Sequence, residues 1–194
     1  MKRTELNEKA LKGASRNAQQ AIDAVSAKEF EAVPADEKVA WAMAAMIHCD
    51  ICRLVVAFDE CEREGVARLL WMADIASKLH EAKRWYFEKG GKLLLNIAPN
   101  KSCGTDLIGK KIKEIKTKHP IGKIEAYSDY RNKFGYHYDA DALSYLEKFG
   151  KEDADTFYEL LAMFAKFSGE WAQLTSSLIK DELPNKRVYP PHKS

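Results

Sequence analysis

The stretch DADTFYELLAMFAKFSGEWAQLTSSLIK, residues 153–180, decides the fold. Phe157, Leu160, Leu161, Phe164, Phe167, Trp171, Leu174 and Leu178 recur at steps of three and four, the spacing of one helical face. A stripe that rich in aromatic rings must be turned toward a core. The segment therefore reads as a long core helix, and the remaining segments supply its partners.

Most of them repeat the helical pattern. Residues 4–30 carry Leu6, Leu11, Ala18, Ile22 and Val25 on one weakly apolar face. AVPADEK stops and restarts the chain, with Pro34 in the linker, Asp36 placed to cap and Glu37 in the first turn. Val39, Met43, Met46, Ile47, Leu54, Phe58 and Cys61 then keep helical register to about Glu64. Gly65 interrupts it, and a further helix is expected to end at the Gly90–Gly91 pair. Leu93 to Ile97 either extends that helix or forms a short extended segment. Pro99, Asn100, Ser102 and Gly104 mark a turn. DLIGKKIKEIKTKH predicts a helix stopped before Pro120, another begins at Ile121, and DADALSYLEKFG predicts a short one ended by Gly150. The expected architecture is all-α: a single-domain bundle of five to seven helices over residues 1–183, with a proline-rich tail at 184–194.

Composition narrows the functional classes. Hydrophobic residues make up 46% and charged residues 31% of 194, the balance of a folded chain with a sizeable core. A formal charge of +2 provides no global field for nucleic acid, so a basic surface has to be local. The charged start MKRTELNEKALKG is not a secretory signal, and charges interrupt the apolar runs short of a bilayer span. With four cysteines and no signal, the expectation is a cytoplasmic protein with free thiols and no membrane partner.

HCDIC, residues 48–52, contains a C-x-x-C, but a zinc site of that kind needs a second pair that the chain lacks. Cys49 and Cys52 read as small buried hydrophobes and His48 as a partly buried polar residue. Asp50 is expected at the solvent edge of its helix; Asp74 and His80 raise the same question of where a polar group sits on an apolar face. No metal and no cofactor is expected.

The local basic surface is GKKIKEIKTKHPIGK, residues 109–123. Lys110, Lys111, Lys113, Lys116 and Lys118 stand on an amphipathic helix anchored by Ile112 and Ile115, with Lys123 just beyond. Such a face suits a phosphate backbone, and equally a solvated surface balancing the acidic DECERE. Directly after it comes DYRNKFGYHYD, residues 129–139, with an arginine, a histidine, two acids and four aromatics. Histidine moves protons near neutral pH, and arginine grips phosphate through paired hydrogen bonds. Together they suffice for metal-free RNA cleavage with the ribose 2′-hydroxyl as nucleophile. On a regular helix Arg131 and His137 differ by about 120°, so convergence requires a deformation near Gly135, a curled arginine, or a second chain.

RNKFGYHYD resembles the R-x4–6-H motif of the HEPN superfamily, small helical proteins that include metal-independent RNases of toxin–antitoxin and phage-defence systems. RVYPPH, Arg187 to His192, has the same bare spacing, but a hydrophobic residue follows its arginine and it lies in the tail. The resemblance implies Arg131 and His137 as catalytic, Asn132 in support, the motif late in the bundle, and two copies facing each other in a homodimer. RNA and a cognate antitoxin or partner protein are the implied partners. The alternative is a non-catalytic interaction or nucleotide-binding protein: Tyr127, Tyr130, Phe134, Tyr136 and Tyr138 pack a helix end, Arg131 pairs with Asp129 or Asp139, and the same motif forms an interface.

Overall fold

A computed structural model describes residues 2–61, 65–135 and 154–181. Seven α-helices can be numbered among them: α1 Arg3–Ser26, α2 Ala35–Glu60, α3 Gly65–Arg84, α4 Gly91–Ile97, α5 Gly104–Lys118, the short α6 Ser128–Tyr130, and α7 Ala154–Ile179. No strand occurs among the described residues, and the all-α bundle is the architecture that the periodicity predicts. The region of DADALSYLEKFG and the proline-rich tail lie outside the described residues.

α2 is the central helix, packed by α1, α3, α4 and α7. It is long and apolar enough to cross a membrane by length and composition, so its two interior charges, Asp50 and Arg53, do not break the run as the sequence reading expects. In the bundle that apolarity is spent on helix contacts: Ala40, Ala44, Ile51, Leu54, Val55 and Phe58 are buried. Val39 and Met46, expected on the buried stripe, are each 46% exposed. On α1 the contact is made by Ala14, Ala18 and Ala21, while Leu6 and Ile22 are exposed. Small side chains let the two axes approach, and the larger ones are displaced to the rim. The N-cap of α2 is Pro34, with Asp36 in the first turn. Buried Glu37 pairs with Lys101 at 2.9 Å, and Lys101 also donates to the Ile179 carbonyl at 3.1 Å, tying three chain segments.

α7 buries all eight residues of its stripe. Phe157 packs against Phe58 and Tyr127 at centroid distances of 5.3 and 4.8 Å. Tyr86 meets Phe167 at 5.0 Å and Trp171 at 5.1 Å.

The glycine pair does not end a helix. Gly90 and Gly91 have helical φ of −56° and −62°, and the chain runs from α3 through a π-helical turn, Trp85–Gly90, straight into α4. A terminating glycine supplies a left-handed conformation; Gly90 supplies room. A Cβ built there would lie 2.7 Å from the Trp85 ring.

Two glycine substitutions should therefore shift stability in opposite directions. Gly13 lies within α1 with nothing within 4 Å of a built Cβ, so Gly13→Ala is expected to stabilise by about 0.5–1 kcal/mol. Gly90→Ala has the same propensity advantage but overpacks Trp85, for a net loss of about 1–3 kcal/mol. Denaturant midpoints of the two variants check the signs.

Candidate functional site

Arg131 is positioned by an unusual local period. Ile121, Ile124, Tyr127 and Tyr130 are all buried and recur every third residue. A 3-10 helix has about three residues per turn, so residues at that step lie on one line. The chain adopts it from Ile121 to Tyr127, then forms α6 and a π-turn over Arg131–Gly135. The same step sets Glu125, Ser128 and Arg131 in a row beside the buried one, at the C-terminal half of α3.

α3 contributes His80, Glu81, Lys83 and Arg84. Arg131 Nη2 donates to Glu81 Oε1 at 3.3 Å, and Arg84 takes the other carboxylate oxygen of Glu81. Lys83 pairs with Glu125, whose backbone carbonyl accepts from the Ser128 hydroxyl at 2.7 Å. The Lys83 contact is the main reason that Glu125 titrates below the ordinary glutamate value. His80 is buried, and its Nε2 has no hydrogen-bond partner. Burial lowers its pKa; Glu125 opposes that change, while Arg131 and Lys83 add to it.

The lysines of α5 do not form one uniform face. Lys110 and Lys113 are exposed, Lys111 pairs with Glu114 at 3.0 Å, and Lys118 pairs with Glu170. Lys116 is half-buried, with Nζ 4.4 Å from the Phe87 ring centroid, and burial lowers its pKa. Lys83 lies 6.0 Å from the same ring. Phe87 thus joins the α5 lysines to the cluster around Arg131, forming one cationic strip broken by Glu81 and Glu125.

Asn132 is exposed beside Arg131, and His137 lies outside the described residues. Tyr127 and Tyr130 are buried core residues, 5.6 Å apart. Sequence reasoning missed Glu81, Lys83 and Glu125. HEAKR, residues 80–84, was the available signal, since Glu81 and Arg84 are one turn apart on a helix, but their link to Arg131 spans 50 positions.

The other candidates separate clearly. Asp50 is half-exposed, bonded to Arg53 at 2.7 Å and 3.8 Å from Lys78; Asp74 is exposed. His48 donates or accepts at Ser168 over 2.8 Å, and burial lowers its pKa. Cys52 is buried, with its thiol pushed up to about 11 by desolvation, and Cys49 shifts the same way. Among the described residues no group of three His, Cys, Asp or Glu side chains is arranged to hold a metal ion. Between α2 and α3 runs a groove of about 560 Å³ with Met43, Met46, Ile47 and Trp85 in its lining and Glu81 in one wall.

No protein-family model, curated protein or solved structure matches the chain.

His48 and His80 generate a pH prediction. Their folded pKa values lie below the unfolded value of 6.5, so the unfolded chain binds more protons and stability rises with pH across that interval. Stability is complete above about pH 7 and falls as pH drops through 6.5 toward the lowered values. Urea unfolding at several pH values should show this slope, and His80→Asn should flatten it. An unchanged slope in a folded variant would place the titration elsewhere.

Proposed function

We propose that the protein binds and cleaves RNA without a metal ion, as a homodimeric HEPN-like endoribonuclease of a toxin–antitoxin or phage-defence system. The observation that carries this reading is the placement of Arg131 on the cationic strip with a shared counter-ion. Glu81 holds Arg131 at 3.3 Å while also holding Arg84. When a phosphate takes Arg131, Glu81 retains Arg84. Lys83 and Lys116 flank the path, and Lys110 and Lys113 extend it along α5.

In this reading the 2′-hydroxyl oxygen attacks the adjacent phosphorus and the bond to the 5′-oxygen breaks. The products are a 2′,3′-cyclic phosphate and a 5′-hydroxyl. His137 moves the protons, Arg131 stabilises charge on the phosphoryl oxygens, and Asn132 contacts the substrate or orients Arg131. The π-turn Arg131–Gly135 supplies the deformation that a regular helix lacks, and such turns recur at functional sites. The competing reading, a non-catalytic interaction module, is favoured by the burial of Tyr127 and Tyr130, which gives the front of the motif a packing role.

Cleavage and binding by substitution variants in EDTA buffer separate the two. His137→Ala should slow cleavage about a hundredfold or more with RNA affinity nearly unchanged. Arg131→Ala should weaken both. Equal cleavage by wild type and a folded His137→Ala protein would assign the activity to a contaminant and the motif to an interface. Loss of all cleavage in EDTA, restored by a divalent ion, would overturn the metal-free mechanism.

The dimer is assigned to the α2–α3 groove. Its rim carries Asp50, Glu81 and Glu88 against Lys78, Arg84 and Lys89, a balanced set that a two-fold axis can pair with itself over the methionines. Glu81 is in that wall, so Arg131 stands one side chain from the mate. Light scattering at tens of micromolar should give twice the chain mass and Met46→Glu should lower it; a monomeric wild type would count against the assembly.

A further inference from the structure

A second cleft opens on the opposite side of α2. The first turns of α1 and α7 are joined, Asn7 donating to the Tyr158 hydroxyl at 3.0 Å with the Arg3 guanidinium 4.4 Å from the same ring. Toward their other ends α1 and α7 flank a cleft of about 500 Å³ floored by α2. Ala45, Gly169 and Ala172 provide the room, and Trp41 contributes an aromatic face. The volume is within the usual range for small-molecule sites.

The lining has a definite chemistry. Asn17, Gln20 and Gln173 bring three carboxamides, each able to donate and accept. Ser176 and Ser177 add hydroxyls, Lys180 adds the one side-chain ammonium, and no carboxylate lines the cleft. Elsewhere the hydroxyls of Ser77, Ser168 and Thr175 donate to carbonyls one turn back. Among the described residues those of Ser176 and Ser177 do not, and none of the three carboxamides is bonded to a protein group there.

His48 completes the floor, held through Nδ1 by Ser168. A Ser168 hydroxyl that donates to the Ala165 carbonyl at 3.0 Å leaves Oγ to accept from His48 Nδ1 at 2.8 Å. Nε2 of the neutral ring is then an acceptor, and among the described residues it contacts the weak donor Cys52 Sγ at 3.8 Å. Glycine at 169 keeps this ring edge uncovered: a Cβ there would lie 3.2 Å from Cε1 and 3.7 Å from Nε2.

We propose that this cleft binds a nucleoside monophosphate with an amino-bearing base. The base stacks on Trp41, its exocyclic amine donates to His48 Nε2, and the carboxamides pair with the rest of its edge. Lys180 takes the phosphate at the mouth. The site is separate from the RNA surface and does not rest on it.

Calorimetric titration of the whole chain with AMP, CMP and UMP tests the assignment. AMP or CMP should bind saturably at one site, with UMP, which lacks the amine, about tenfold weaker. Gln173→Ala and Lys180→Ala, both exposed and unlinked to the core, should each weaken binding about tenfold with unchanged melting temperature. Arg131→Ala should leave it unchanged. No saturable heat up to millimolar nucleotide, equal binding of UMP, or loss of binding in Arg131→Ala with retention in both cleft variants would overturn the proposal.

Discussion

The rings of Tyr86, Phe167 and Trp171 close on one another at 5.0 to 5.6 Å, and each is fully buried. Tyr86 belongs to the α3–α4 rod and the other two to α7, so this contact fixes the rod against the helix opposite. Aromatic pairs at such distances add about 0.5–1.5 kcal/mol each beyond the area that they bury. The π-turn follows from it. An added residue in the turn lets Tyr86 face inward while Trp85 goes to the groove wall and Gly90 receives its ring. The rest of α3 is then set in rotation, including the side on which His80, Glu81, Lys83 and Arg84 emerge.

Much of the fold was legible because its signals are local. All eight residues of the α7 stripe lie on its buried face, which Ser168 and Thr175 complete, since a wide apolar stripe leaves one rotation available. α1 and α2 were less legible. Leu6, Ile22, Val39 and Met46 look like core residues but are exposed, because alanines bring the axes together and displace larger side chains. The glycine pair misled for a related reason: glycine serves conformation or space, and only the neighbour, Trp85, distinguishes the two. The period of three from Ile121 to Tyr130 was written plainly in the sequence, and a scan for the α-helical period passes over it.

At the candidate site sequence alone could single out Arg131 as a candidate, while its counter-charges were illegible. Arg131 and the lysines of α5 were identifiable from residue type and spacing. That Glu81 answers Arg131, that Lys83 answers Glu125, and that Phe87 lies between Lys83 and Lys116 are properties of folding α3 against a distant segment. Charge alone therefore overstated the basic face: Lys111 and Lys118 already have acidic partners. What is left is a narrower strip beside Arg131, whose carboxylate partner Glu81 also holds Arg84.

The three-residue step between Ile121 and Arg131 also bears on how this chain can vary in length. In a 3-10 segment the loss or gain of one residue turns everything beyond it by about 120°. A single deletion there would carry Arg131 off the α3 side and bring a neighbour's side chain into the line of Ile121, Ile124, Tyr127 and Tyr130. Removing three residues would shorten the segment by one turn and keep both rows aligned. Here the reading frame of the gene and the turn of the helix share a period, though not a unit: nine nucleotides, rather than three, make the smallest in-frame change in length that preserves the geometry.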